Sequence, residues 1–225
     1  MRWICCLLVL SMLCLTVALC ASHAPAATTE RVGMSSDGKQ ADRGCLLYPG
    51  GISADGRFVA FLSSATNLVP NDTNGSSDVF VRDRLTGLTA RVSVASDGAE
   101  AAGASQMPSM SADGRYVVFS SDAANLVPDD NNGCNDVFLH DRLTEGTSRV
   151  SISSDGTEAN GATEAWGSMP SISADGRYVA FCSEASNLVP DDTNDTQDVF
   201  VHDRLTGETE LLPIRFTHQH TTSCR

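Results

Sequence analysis

Ser173–Thr209 reads SADGRYVAFCSEASNLVPDDTNDTQDVFVHDRLTGET, and this stretch occurs three times. Ser53–Thr89 reads SADGRFVAFLSSATNLVPNDTNGSSDVFVRDRLTGLT, and Ser111–Thr147 reads SADGRYVVFSSDAANLVPDDNNGCNDVFLHDRLTEGT. The copies start 58 and then 62 residues apart. A period of that length, built from short apolar runs between Gly, Asn and Asp clusters, marks a stack of supersecondary units.

The second copy shows what one unit is. Pro108–Ser111 is a short strand candidate, and Ala112-Asp113-Gly114-Arg115 is a tight turn, with Asp for an Asx bond and Gly for positive φ. Tyr116–Ser121 (YVVFSS) is aromatic and β-branched on both faces, which suits a strand covered on each side. Asp136–Asp141 (DVFLHD) is a third strand, and Arg142–Gly146 is a hairpin. Ser148–Ser154 (SRVSISS) alternates polar and apolar residues, so it reads as a half-exposed outer strand. No stretch of ten or more residues after the leader has helical periodicity. Four antiparallel strands per repeat, with covered faces, predict an all-β chain of propeller blades.

The motifs S-A-D-G-R-[FY]-V-[AV]-F and D-V-F-[VL]-x-D-R, recurring over about residues 29–214, resemble the TolB-type, WD-repeat-like β-propeller unit of bacterial exported proteins. The resemblance implies blades at about 47–96, 107–154 and 168–214, used mainly as a binding platform. Thr28–Gly38 aligns with Thr89–Gly98, so the chain is expected to open on a lone outer strand. Three blades and one strand fall short of the roughly 4 to 8 blades of a closed ring. The expectation is a truncated member, with self-association or an open arc as the alternatives.

Residues 1–26 carry Arg2, an apolar run from Trp3 to about Cys20 and Ala24-Pro25-Ala26, the pattern of a cleaved export signal. An exported chain, periplasmic, cell-surface or secreted, is expected, with no stable membrane insertion after cleavage. A net charge of −13 opposes binding to nucleic acid, because no cationic excess exists to neutralise phosphates. Cleavage leaves Cys45, Cys134, Cys182 and Cys224, at non-equivalent repeat positions, which reads as unpaired or opportunistically paired thiols with three pairings open. Residues 215–225 match nothing earlier.

Each copy carries an acidic loop of pattern D-x-N-[GD]-x-x-D. The candidate ligands are Asp72, Asn74 and Asp78, then Asp130, Asn132 and Asp136, then Asp192, Asn194 and Asp198. Oxygens at alternate positions around a turn Gly suggest Ca²⁺, whereas an Asx-rich turn explains the same residues without an ion. His140 and His202 replace Arg82 and are expected on the strand surface. Asp83-Arg84, Asp141-Arg142 and Asp203-Arg204 recur at strand ends and suggest salt bridges between blades. Asp155–Met169 diverges most between copies, and its Trp166 reads either as a contact for a ligand or as a plug of the central channel. No G-x-S-x-G or H-E-x-x-H occurs. The chain is therefore expected to be a non-catalytic module for a protein or polysaccharide partner, the alternatives being a propeller-type hydrolase or lyase and a non-functional fragment.

Overall fold

Alternating β-branched and aromatic residues, cut by glycine turns, fold into strands throughout the computed structural model. It describes residues 29–163, 169–194 and 196–212, with every strand in the unit Arg31–Arg225. The first sheet comprises β1 (Cys45–Leu46), β2 (Phe58–Ser63), β3 (Asp78–Asp83) and β4 (Leu88–Arg91). The second comprises β5 (Ser105–Met110), β6 (Tyr116–Ser121), β7 (Asp136–Asp141) and β8 (Gly146–Arg149). The third comprises β9 (Ser171–Ile172), β10 (Tyr178–Ser183), β11 (Asp198–Asp203) and β12 (Glu208–Leu212). Each sheet is an antiparallel meander in sequence order. Together they form three blades of an all-β propeller that does not close. No helix long and apolar enough to cross a membrane occurs among the described residues.

The core lies between blades. Alternation sends Ala60, Val79 and Val81 to the trailing face of blade one, where they meet Val117, Phe119 and Phe138 on the leading face of blade two. Val118, Val137 and Leu139 meet Val179, Phe181 and Phe200 in the same way. Within each blade the central strands stack a phenylalanine pair, with ring centroids 5.8–6.0 Å apart.

The outer strands are shorter than the sequence pattern predicts. The ladder of β8 stops at Arg149 rather than Ser154. Ser151 Oγ accepts the Val137 N–H that a further ladder residue would take, and Gly156 (φ +86°) then turns the chain back. The result is a connector lying between successive blades. Thr147 of blade two receives the connector of blade one: its N–H donates to Ser96 Oγ (2.9 Å) and its hydroxyl donates to Val94 O. Ser154 and Ile152 repeat this on Thr209, and Ser36 and Met34 repeat it on Thr89. The expected N-terminal outer strand is therefore, over Val32–Ala41, a connector docked on the first blade. The first strand of blade two begins at Ser105, three residues before the predicted start, with an irregular register between Gln106 and Ser109.

Candidate functional site

The acidic loops are Asx turns in which the asparagine at the shared position of each copy, Asn74, Asn132 or Asn194, is held at both ends of its carboxamide. Asn71, Asp129 and Asp191 take positive φ, and Asn74 Oδ1, Asn132 Oδ1 and Asn194 Oδ1 accept N–H groups two residues on. The carboxamide N–H groups point the other way. Asn74 Nδ2 donates to Asp78 Oδ2 (3.1 Å) and Ala101 O (3.0 Å), and Asn132 Nδ2 donates to Asp136 Oδ2 (2.9 Å) and Ala159 O (3.0 Å). Asn194 Nδ2 donates to Asp198 Oδ2 (2.7 Å).

Carboxylates do converge here, in a set different from the predicted one. Oxygens of Asp72, Asp78 and Glu100 lie within 4.8 Å of one another, a spacing able to hold a metal ion. Glu100 comes from the connector and was not singled out by the loop motif. Arg91 enters the same cluster, paired with Glu100 and within 3.7 Å of Asp72 and 3.4 Å of Asp78. Blade two repeats this: Arg149 lies 3.3 Å from Asp130, 3.2 Å from Asp136 and 2.7 Å from Glu158. A guanidinium thus stands where a cation is needed. Burial, and then the neighbouring Asp78 or Asp136, push the Asp72 and Asp130 carboxyls up, against the pull of the arginine. A sequence signal for the cluster exists: in both copies an acid follows the arginine by nine residues.

In blade three the arginine position is Leu211. Asp78 and Asp136 are fully buried, whereas Asp198 is half-buried and Asn194 exposed.

The Asp–Arg pairs act differently from the inter-blade salt bridge expected of them. Arg57 clamps Asp83 of its own blade through Nε (2.9 Å) and Nη2 (2.7 Å), as Arg115 does Asp141 and Arg177 does Asp203. These bidentate pairs hold all three carboxyls well below the usual range. The second member, in blades two and three, crosses to the preceding blade through cation–π contact. Arg142 lies 4.2 Å above the Phe58 ring and Arg204 lies 4.1 Å above the Tyr116 ring.

His140 and His202 are buried, at 1% and 5% exposure, not on the surface. Each Nδ1 sits 2.9 Å from the hydroxyl of Thr147 or Thr209. That hydroxyl donates to a connector carbonyl, so the imidazole must donate to it, which fixes the Nδ1–H tautomer. Arg82 Nη1 donates to Thr89 in the same way (3.0 Å), which explains why Arg and His exchange here. Cys45, Cys134 and Cys182 are free. The predicted leader, Trp166, Cys224 and the 215–225 tail lie outside the described residues.

Among solved structures, the chain is similar to a TolB of Agrobacterium tumefaciens, at 19% identity and a TM-score of 0.46, over 75% of this chain and 48% of that one. In fold, the chain is an arc of three β-propeller blades. It is also similar to the oligogalacturonate lyase of Vibrio parahaemolyticus (12% identity, TM-score 0.45, 76% of this chain and 41% of that one). The β-propeller domain of the Trilobed protease from Pyrococcus furiosus gives 16% identity and a TM-score of 0.42, over 72% and 41% of the two chains. This chain spans about half or less of the length of each of these proteins. No family model and no curated protein matches it.

Proposed function

We propose that the chain is an exported, non-catalytic propeller module that binds a protein or polysaccharide partner. One observation carries this reading. Apart from the acidic loop of blade three, where Leu211 replaces the arginine, each repeated ionisable cluster is closed on its own blade or on the neighbouring one. Arg91 and Arg149 neutralise the acidic loops, Arg57 and its equivalents clamp the strand-end aspartates, and His140 and His202 anchor the connectors. A general acid, base or nucleophile needs a group facing a substrate-sized space; these groups face their own scaffold.

Recognition then falls to the rim, where each connector turn faces an N-L-V-P loop. Ser35, Ser36, Asp37 and Lys39 face Asn67–Pro70 in one groove, and Ser153, Ser154 and Asp155 face Asn187–Pro190 in another. These hydroxyl and amide groups suit hydrogen bonding to a glycan or a peptide backbone. Export rests on the apolar leader after Arg2, and the acidic balance gives no basis for nucleic-acid binding.

The calcium expected at the acidic loops would have to compete with Arg91 and Arg149 in the first two, and in the third Asp195 stands in place of the turn glycine. A melting temperature unchanged by millimolar Ca²⁺ or by a chelator would remove calcium from this reading. The binding function is tested by screening the purified chain against polysaccharide and periplasmic-protein panels while assaying turnover. Saturable binding without turnover supports the reading. Hydrolase or lyase activity that disappears when a single aspartate is replaced overturns it.

A further inference from the structure

The two ends of the arc are complementary halves of the interface that occurs twice inside it. At each internal interface an aromatic ring on the trailing face, Phe58 or Tyr116, lies against a turn glycine and under an arginine of the next blade. The partners are Gly114 and Arg142 for Phe58, and Gly176 and Arg204 for Tyr116. The third ring, Tyr178, is 41% exposed. Gly56 and Arg84 hold the matching positions on blade one, and Arg84 Nη1 donates to Gly56 O as Arg142 does to Gly114 O.

The backbone agrees. The S-A-D-G turns are linked in series, Ala54 N–H to Ala112 O (2.8 Å) and Ala112 N–H to Ala174 O (2.9 Å). Continuing the series in either direction uses Ala174 N–H and Ala54 O. The apolar faces agree as well. Ala180, Val199 and Val201 are only partly buried, although their counterparts in blades one and two are fully buried. On the leading face of blade one, the exposed Leu46 and Leu47 line an apolar groove with Val32 and the buried Val59 and Phe61.

The charges decide the occupant. Blade three has the two aspartates of the acidic cluster but Leu211 in place of the arginine. The N-terminal connector has the arginine without the aspartates: Arg31 pairs with Gln40 nine residues on, as Arg91 pairs with Glu100 and Arg149 with Glu158. Thr29–Val32 (TERV) also matches Thr89–Val92 (TARV) and Thr147–Val150 (TSRV) more closely than Thr209–Leu212 (TELL) does.

We propose that two copies of this chain associate head to tail, the trailing face of blade three in one against the leading face of blade one in the other. Both junctions close together, giving a ring of six blades, inside the roughly 4 to 8 of closed propellers. At each junction Arg31 and Val32 of one copy displace Leu211 and Leu212 from the end of the other's edge strand and pair with Phe200 and Val199 in their place. Arg31 thereby reaches Asp192 and Asp198, and the Ala41 carbonyl accepts from Asn194 as Ala101 O accepts from Asn74.

The interface is heterologous, which makes the test decisive. Sedimentation or light scattering of the purified chain should give twice the chain mass. Arg31→Glu and Tyr178→Glu, both at exposed positions, should each give a single-chain mass with an unchanged circular dichroism spectrum. Mixing the two variants should restore a two-chain species, because the intact leading face of the tyrosine variant meets the intact trailing face of the arginine variant. A wild-type monomer, a variant that still pairs with itself, or a mixture that stays monomeric would overturn the proposal.

Discussion

His140 and His202 set an acid limit on stability. Burial lowers both imidazoles below the ordinary value of 6.5. The unfolded chain therefore takes up protons that the fold excludes as pH drops below about 6.5, and stability falls by up to about 1.4 kcal/mol per pH unit for each histidine. The aspartates clamped by Arg57, Arg115 and Arg177 have depressed values too. Their contribution is complete above about pH 4 and disappears as pH falls further. Urea midpoints should thus decline in two stages, and His140→Gln with His202→Gln should flatten only the stage that begins as pH drops below about 6.5. An unchanged slope in the double variant would show that other groups carry it. Arg91 offers a second residue-scale expectation. Arg91→Leu strands three neighbouring carboxylates and should cost on the order of 3 kcal/mol by denaturant unfolding. Blade three tolerates Leu211 at that position because Asp198 remains in contact with water.

Turns and connectors show what a single chain of letters reveals. Both Gly56 and Gly114 take positive φ, +71° and +70°, so replacing either by Ala costs about 1–2 kcal/mol in backbone strain. Within one chain, only at Gly114 would the new Cβ meet another blade, 2.5 Å from Phe58 Cδ2; at Gly56 the nearest atom is Arg84 Nη1 at 3.6 Å, so the comparison is made at a dilution where the chain is unpaired. Gly114→Ala should therefore lose about 1–3 kcal/mol more than Gly56→Ala, measured as a difference in unfolding free energy. The S-A-D-G turn, the covered strands and the hairpins were legible because local chemistry alone specifies them. The connector was not. Ser151 and Ile152 alternate like strand residues, and only the side-chain bond to Val137 N–H shows that the ladder has ended. The acidic loop was legible as a turn but not as a salt-bridge cage, because Glu100 and Arg91 reach it from a different element. His140 misled for a related reason: Arg at the equivalent position reads as surface, although both side chains serve the same buried threonine.

At the scale of the whole arc, stability is distributed over repeated interfaces, and the same substitution should cost different amounts according to whether a neighbouring blade is present. Phe58, Tyr116 and Tyr178 occupy one position in three copies. Truncating Phe58 or Tyr116 to Ala removes a ring packed under the next blade's arginine and should destabilise the fold by about 2 kcal/mol, below the cost at a fully buried site because each ring keeps some exposure. Tyr178→Ala removes a ring 41% exposed and should change stability in dilute solution by less than about 0.5 kcal/mol. Mass action separates this from a residue that is merely peripheral. Pairing stabilises the folded state more as chain concentration rises, so the wild-type midpoint should climb with concentration while that of Tyr178→Ala stays fixed. Equal losses at all three positions at every concentration would mean that the third ring is buried against its own blade, and that the arc has no open trailing face for a second copy to cover.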